Sequence, residues 1–135
     1  MANRVLDTNV LITIWRGKTP GIRRPDSEVS ARAAAETWLR LSPDDVILTP
    51  VRIEFPVGAR DRDELRLYDA FLGVFRVLDD GRVLPLDWRV AERFARRIPH
   101  DGRFRDAVDC LILAICDRLN AELRTDDTSM GVGQD

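Results

Sequence analysis

Lysine is nearly missing from this chain. Of 21 basic residues, 20 are arginine, and Lys18 is the only lysine. Codon bias in a GC-rich genome accounts for that plainly, although arginine is also the better bidentate ligand for phosphate. Histidine is as scarce: His100 stands alone. A Ser-His-Asp triad that does not use His100 is excluded, and no serine sits in a nucleophile-elbow pattern. The two cysteines, Cys110 and Cys116, form neither a CxxC pair nor a zinc-spaced cluster with histidine. Six positions apart on a helix they are rotated by about 600°, so they face different ways and do not readily pair. They read as buried small hydrophobes, which suits a reducing cytoplasm, the expected location. No run reaches the ~20 apolar residues that span a bilayer. The apolar opening carries Asp7 and Asn9 mid-run without a small-residue cleavage site, so no signal peptide is expected.

What remains is an ordinary globular chain. Its 135 residues suit one domain, expected over 1–135. With 44% hydrophobic and 33% charged residues, wholesale disorder and a collagen-like chain are excluded. The net charge of -2 does not announce a nucleic-acid binder, so any such binding needs a local basic patch. Aspartate outnumbers glutamate, 17 to 6.

Periodicity and capping residues predict alternating strands and helices. A strand over 3–6 leads into a helix over 7–16, with Asp7-Thr8-Asn9 as capping chemistry. A basic loop over 17–26 precedes a helix over 27–41, whose stripe is Val29, Ala33, Ala34, Trp38 and Leu41. A buried strand over 46–48 is followed by Thr49-Pro50, an N-cap and first-turn proline, and by a helix bearing Glu54 that Pro56 should shorten or kink. An amphipathic helix is expected over 61–77, with Leu65, Tyr68, Leu72 and Phe75 on one side. Then come a turn at 79–81, a short strand over 83–86, a helix capped by Asp87, a loop over 99–105, the most apolar helix over 106–119, and a strand over 121–124. This is the pattern of an α/β fold: a central parallel sheet flanked by helices. In such sheets, sites form beyond the carboxyl ends of the strands.

Several acids fall at that edge. Asp7 closes the first strand, Glu54 lies one helical turn past the second, Asp109 begins the apolar helix, and Asp126 and Asp127 follow the last strand. Converging carboxylates repel unless something neutralises them. A hard divalent cation such as Mg²⁺ or Mn²⁺ does so economically, and it supports in-line displacement at a phosphodiester. Each acid also has a structural alternative. Asp7 can simply cap the first helix, Asp106 and Asp109 can form a capping pair, and Asp126 and Asp127 can be turn residues.

Four segments resemble the PIN domain family in order. They are VLDTNVLI at 5–12, TPVRIEFPVG at 49–58, DAVDCLILA at 106–114 and LRTDDTSM at 123–130. The resemblance covers nearly the whole chain. It implies a single PIN-like domain and a Mg²⁺- or Mn²⁺-dependent ribonuclease. Small single-domain members are mostly VapC-type toxins, so it also implies a cognate antitoxin and a homodimer. By position, Asp7, Glu54 and Asp109 match the core acidic ligands and Asp127 the fourth, with Asp126 as a neighbour able to substitute. Thr8 and Asn9 match supporting residues, while Asp106 has no firm counterpart and reads as a cap. Met130 stands where the family usually has an aromatic.

Arginines beside an acidic pocket would guide RNA. Arg16, Arg23, Arg24, Arg103 and Arg105 lie on loops expected near the site, whereas Arg52 and Arg60 read equally as ordinary surface charges. Trp38, Leu39, Tyr68 and Phe71 either form a groove for the antitoxin or belong to the core. Other readings stay open: an inactive PIN-like module that binds RNA or a partner, and a non-toxin RNA-maturation nuclease. A haloacid-dehalogenase-type phosphatase needs a second Asp where Asn9 stands. A receiver domain needs a Lys near its last strand, and Lys18 is far from there.

Overall fold

The computed structural model describes residues 3–97 and 106–125. Three short parallel strands form the sheet in the order β2-β1-β3: β1 (Arg4–Leu6), β2 (Asp45–Val46) and β3 (Glu122–Arg124). Val5 pairs with Val46 on one side and Leu123 on the other, which makes β1 the central strand. Among the described residues, six helices surround it: α1 (Thr8–Trp15), α2 (Glu28–Leu41), α3 (Thr49–Val57), α4 (Arg62–Leu72), α5 (Pro85–Ala95) and α6 (Ala107–Arg118). None is long and apolar enough to cross a membrane. The expected α/β architecture with a parallel sheet and flanking helices is therefore what the chain adopts.

Local chemistry starts most of these helices. Asp7, Ser27, Asp61 and Asp106 each cap one, with a side-chain oxygen accepting from a first-turn amide. Packing then decides where they sit. α2 lies on α4, α5 on α6, and α3 touches α1, α4 and α6. Trp15 of α1, Phe55 of α3 and Tyr68 and Phe71 of α4 pin three helices together, with Trp15 edge-on to Tyr68 at 4.8 Å and to Phe71 at 5.3 Å. Each such aromatic pair adds about 0.5–1.5 kcal/mol beyond the area it buries.

Three expectations are corrected, and one open alternative is decided. Residues 83–86 are not a strand. Proline lacks an N–H and suits the first helical turn, so α5 begins at Pro85, and Asp87 Oδ2 accepts from the Leu84 amide at 2.8 Å rather than preceding the helix. The helix expected over 61–77 stops at Leu72, where bonds from Val74 N to Phe71 O and Phe75 N to Leu72 O tighten its end. The freed chain runs along β2, with Val77 in a single parallel bridge to Ile47. The stripe of α2 is rotated: Ala31, Ala34, Ala35 and Trp38 are buried at helical spacing, whereas Val29 and Leu41 are exposed. Of the two readings open for Trp38, Leu39, Tyr68 and Phe71, the core one holds: Trp38 and Phe71 are core, and Leu39 and Tyr68 pack against it.

Candidate active site

β1 delivers Asp7 to the carboxyl edge of the sheet. The residue is 2% exposed, and both oxygens accept hydrogen bonds. The Thr8 amide donates to Oδ1 at 2.7 Å, and the Thr125 hydroxyl donates to Oδ2 at 3.0 Å. The first bond follows from helix capping. The second joins residues 118 apart and exists because β3 lies parallel to β1 and ends beside it. Thr8 serves twice: its hydroxyl also donates to Glu54 Oε1 at 2.5 Å. One threonine thus ties the acid of α1's N-cap to the acid of α3.

Asp109 arrives from the N-terminal turn of α6. Its amide donates to Asp106 Oδ1 at 2.9 Å, so Asp106 caps the helix, as the sequence suggested. Asp7, Thr8, Asn9, Glu54, Asp106 and Asp109 line one cleft of about 390 Å³. Three sequence-expected carboxylates, those of Asp7, Glu54 and Asp109, and both support residues are therefore gathered. Asp126 and Asp127 lie outside the described residues, as do Arg103 and Arg105.

Among the described residues, no group of three or more acidic, histidine or cysteine side chains is drawn together tightly enough to enclose an ion. The donor chemistry nevertheless fits a hard cation. All the side-chain donors are oxygens, carboxylates dominate, and the cleft has room for water to complete a coordination sphere. Thiolates do not compete. Burial, then the Asp7 charge, pushes the Cys116 thiol up to about 12. Burial, with Asp109 and Asp106, raises Cys110 as well. Both cysteines are unpaired and buried, as their spacing implied.

Arg16 and Arg24 line a second cleft, which shares Ile12, Phe55 and Gly58 with the acidic one. Arg23 is exposed and lines neither. One participant escaped the sequence reading, and two were met there in other roles. Thr125 stood in a noted motif, but its partner lies at the other end of the chain. Arg60 and Tyr68 join Arg16 in the second cleft only because α4 folds back onto α1 and α3. No local signal marks any of the three.

The model of the PIN domain family matches residues 4–131. The chain belongs to that family, whose fold is of nuclease type. No protein of curated function matches it.

Proposed function

We propose that this protein is a metal-dependent ribonuclease that hydrolyses RNA phosphodiester bonds, acting as the toxin of a VapBC-type pair held by a cognate antitoxin. The observation that carries the nuclease reading is the convergence of Asp7, Glu54 and Asp109, from β1, α3 and α6, on one cleft. Membership of the PIN family supports it, and the family's small single-domain members motivate the toxin assignment. Asp7, Glu54 and Asp109 would hold Mg²⁺ or Mn²⁺, with Asp127 as the expected fourth acid. When bound, such a cation supplies Lewis-acid stabilisation of the phosphate and a water of lowered pKa.

The remaining chemistry belongs to the chain. Thr8 and Thr125 hold the Asp7 carboxylate in one orientation, and Thr8 sets the position of Glu54 by a bond to the same cleft. Preorganised groups of this kind do not have to rearrange as charge develops on the phosphate. Asp7 and Asp109 are both buried residues that line the cleft.

The experiment is cleavage of a labelled RNA by the purified protein, with Mg²⁺ or Mn²⁺ and after chelation by EDTA. Cleavage that disappears with EDTA and returns with either ion is the expected result. Cleavage that persists after rigorous chelation would reject the metal assignment. For the toxin role, expression should arrest growth, and co-expression of a small neighbouring reading frame should relieve it.

A further inference from the structure

Two clefts of opposite character adjoin in this molecule. The acidic one holds the carboxylates. The second, about 380 Å³, is lined by Arg16, Arg24, Arg60, Glu64 and Tyr68 above a floor that includes Trp15 and Phe55. They meet along Ile12, Phe55 and Gly58, which line both. A chain lying across that saddle passes from carboxylates to guanidinium groups without leaving the surface.

The charges of the second cleft are not equivalent. Arg60 is engaged by Glu64, with its Nη2 3.2 Å from Oε2 and its own amide 2.9 Å from Oε1. That pair lowers the Glu64 carboxyl and raises Arg60, and it neutralises the only acid lining the cleft among the described residues. Arg16 and Arg24 form no ion pair among the described residues, and both are exposed. Three arginines against one glutamate leave a net charge of +2, carried by these two side chains.

Their placement is set by the fold. Arg16 is the C-cap of α1. Arg24 is brought to it by a close backbone approach: a Cβ on Gly17, at φ +71°, would stand 2.8 Å from the Arg24 amide nitrogen. Only glycine allows both that conformation and that approach. Opposite them Tyr68 is half-buried, with its ring 4.6 Å from that of Phe55. Burial, followed by the Glu64 charge, raises its hydroxyl, so the wall stays neutral.

Two uncommitted guanidinium groups facing an aromatic wall suit a phosphate joined to a sugar and a base. We infer that this cleft is a nucleotide subsite for single-stranded RNA. Arg16 and Arg24 bind a backbone phosphate next to the scissile one, and Tyr68 walls the attached nucleoside. This assignment rests on the ribonuclease reading of the acidic cleft, and it adds a substrate conformation: a duplex cannot lay an unpaired nucleoside against Tyr68.

The test is binding of a fluorescent single-stranded RNA of about ten nucleotides, read by anisotropy in EDTA across a salt series. Losing the one phosphate that the two arginines neutralise should lower the slope of log affinity against log salt by about 0.7 in the Arg16→Ala/Arg24→Ala protein. Affinity at low salt should fall at least tenfold. The Arg16→Lys/Arg24→Lys protein should recover the slope, and Arg89→Ala, an exposed arginine lining neither cleft, should match wild type. With Mg²⁺ present, the double alanine variant should raise KM far more than it lowers kcat. Unchanged affinity and slope in the double alanine variant would overturn the subsite, even where Asp7→Asn abolishes cleavage and so upholds the nuclease. Arginine-dependent binding of an RNA that wild type never cuts would instead overturn the nuclease reading. If the double variant loses a protein partner but keeps RNA, the cleft belongs to that partner and the subsite is rejected.

Discussion

A buried aspartate lies beside each end of β1, Asp45 of β2 next to Arg4 and Asp7 just after Leu6, and the two are held differently. At the amino end, Asp45 accepts from Arg4 Nε at 2.7 Å on one oxygen and from Trp38 Nε1 at 2.8 Å on the other. At the carboxyl end, Asp7 accepts from an amide and a hydroxyl. Both acids have each oxygen engaged, but a guanidinium cancels charge where a hydroxyl only orients it. Asp45 is thereby committed to the fold, tying β1, β2 and α2 together. Asp7 accepts from two neutral donors and lines the cleft. Glu54 follows the second pattern: its partner is the Thr8 hydroxyl, and among the described residues no arginine pairs with it.

Substitution at the two ends should separate activity from stability. Asp7→Asn keeps a good N-cap for α1, so thermal unfolding should stay close to wild type. RNA cleavage should fall by about 10²–10³-fold, the scale of losing one preorganised charge-stabilising group. Asp45→Ala should do the reverse. It strands Arg4 and the Trp38 indole, at a cost of about 2–3 kcal/mol, less than a fully buried pair because Arg4 is one-third exposed. Its Tm should drop by roughly 3–4 °C for each of those kcal/mol, while activity per folded molecule holds. A catalytic loss in Asp45→Ala as large as that in Asp7→Asn would erase the contrast.

Asp87 extends the structural pattern to α5 and α6. Burial alone would raise its carboxyl, but Arg118, at 2.7 and 3.0 Å, and the Leu84 amide outweigh burial and hold it below the usual range. A carboxyl depressed in the folded state stabilises above its unfolded pKa of about 3.9, and that stability fades as pH falls through the folded value. Urea midpoints should therefore decline as pH falls below about 4. Asp87→Asn should lose about 1–2 kcal/mol at neutral pH, and its own acid decline should be shallower. Equal acid slopes in the two proteins would place the pH sensitivity elsewhere.

What the sequence disclosed and what it concealed follow from the range of the interactions. Asp7 and Asp106 were legible as caps because a capping side chain serves an amide three residues away or nearer. The order of the motifs at 5–12, 49–58 and 106–114 was enough to gather Asp7, Glu54 and Asp109. Residues 83–86 were misread because a short apolar run fits a strand or a helix start equally well, and only the engagement of Asp87 by Arg118 and the Leu84 amide decides between them. Trp38 and Phe71 were ambiguous for a related reason. An apolar helix face looks the same whether another helix or a partner covers it, and here α2 and α4 cover each other. The Thr125–Asp7 bond and the meeting of Arg16 with Tyr68 depend on long-range contacts that no local pattern encodes.

The smallest expected effect lies at α3, between the two patterns. Its N-cap, Leu48, has no side chain able to accept a hydrogen bond. Asp79, from the segment that runs beside β2, supplies the acceptor instead: its Oδ1 takes the Thr49 amide at 3.0 Å and the Thr49 hydroxyl at 3.1 Å. Its Oδ2 is buried and meets no donor among the described residues. Asp79 thus starts the helix that carries Glu54, five residues on, without touching the cleft. Removing the acceptor in Asp79→Ala should cost about 1 kcal/mol, as for other lost caps. Asp79→Asn keeps an acceptor for Thr49, so it should lose less stability than Asp79→Ala. Cleavage should drop a few-fold at most in Asp79→Ala and not at all in Asp79→Asn, because capping fixes the start of α3 and Thr8 holds Glu54 independently. Should Asp79→Asn prove as unstable as Asp79→Ala, the charge itself would be what α3 needs, and Asp79 would join neither Asp45 nor Asp7 in this comparison.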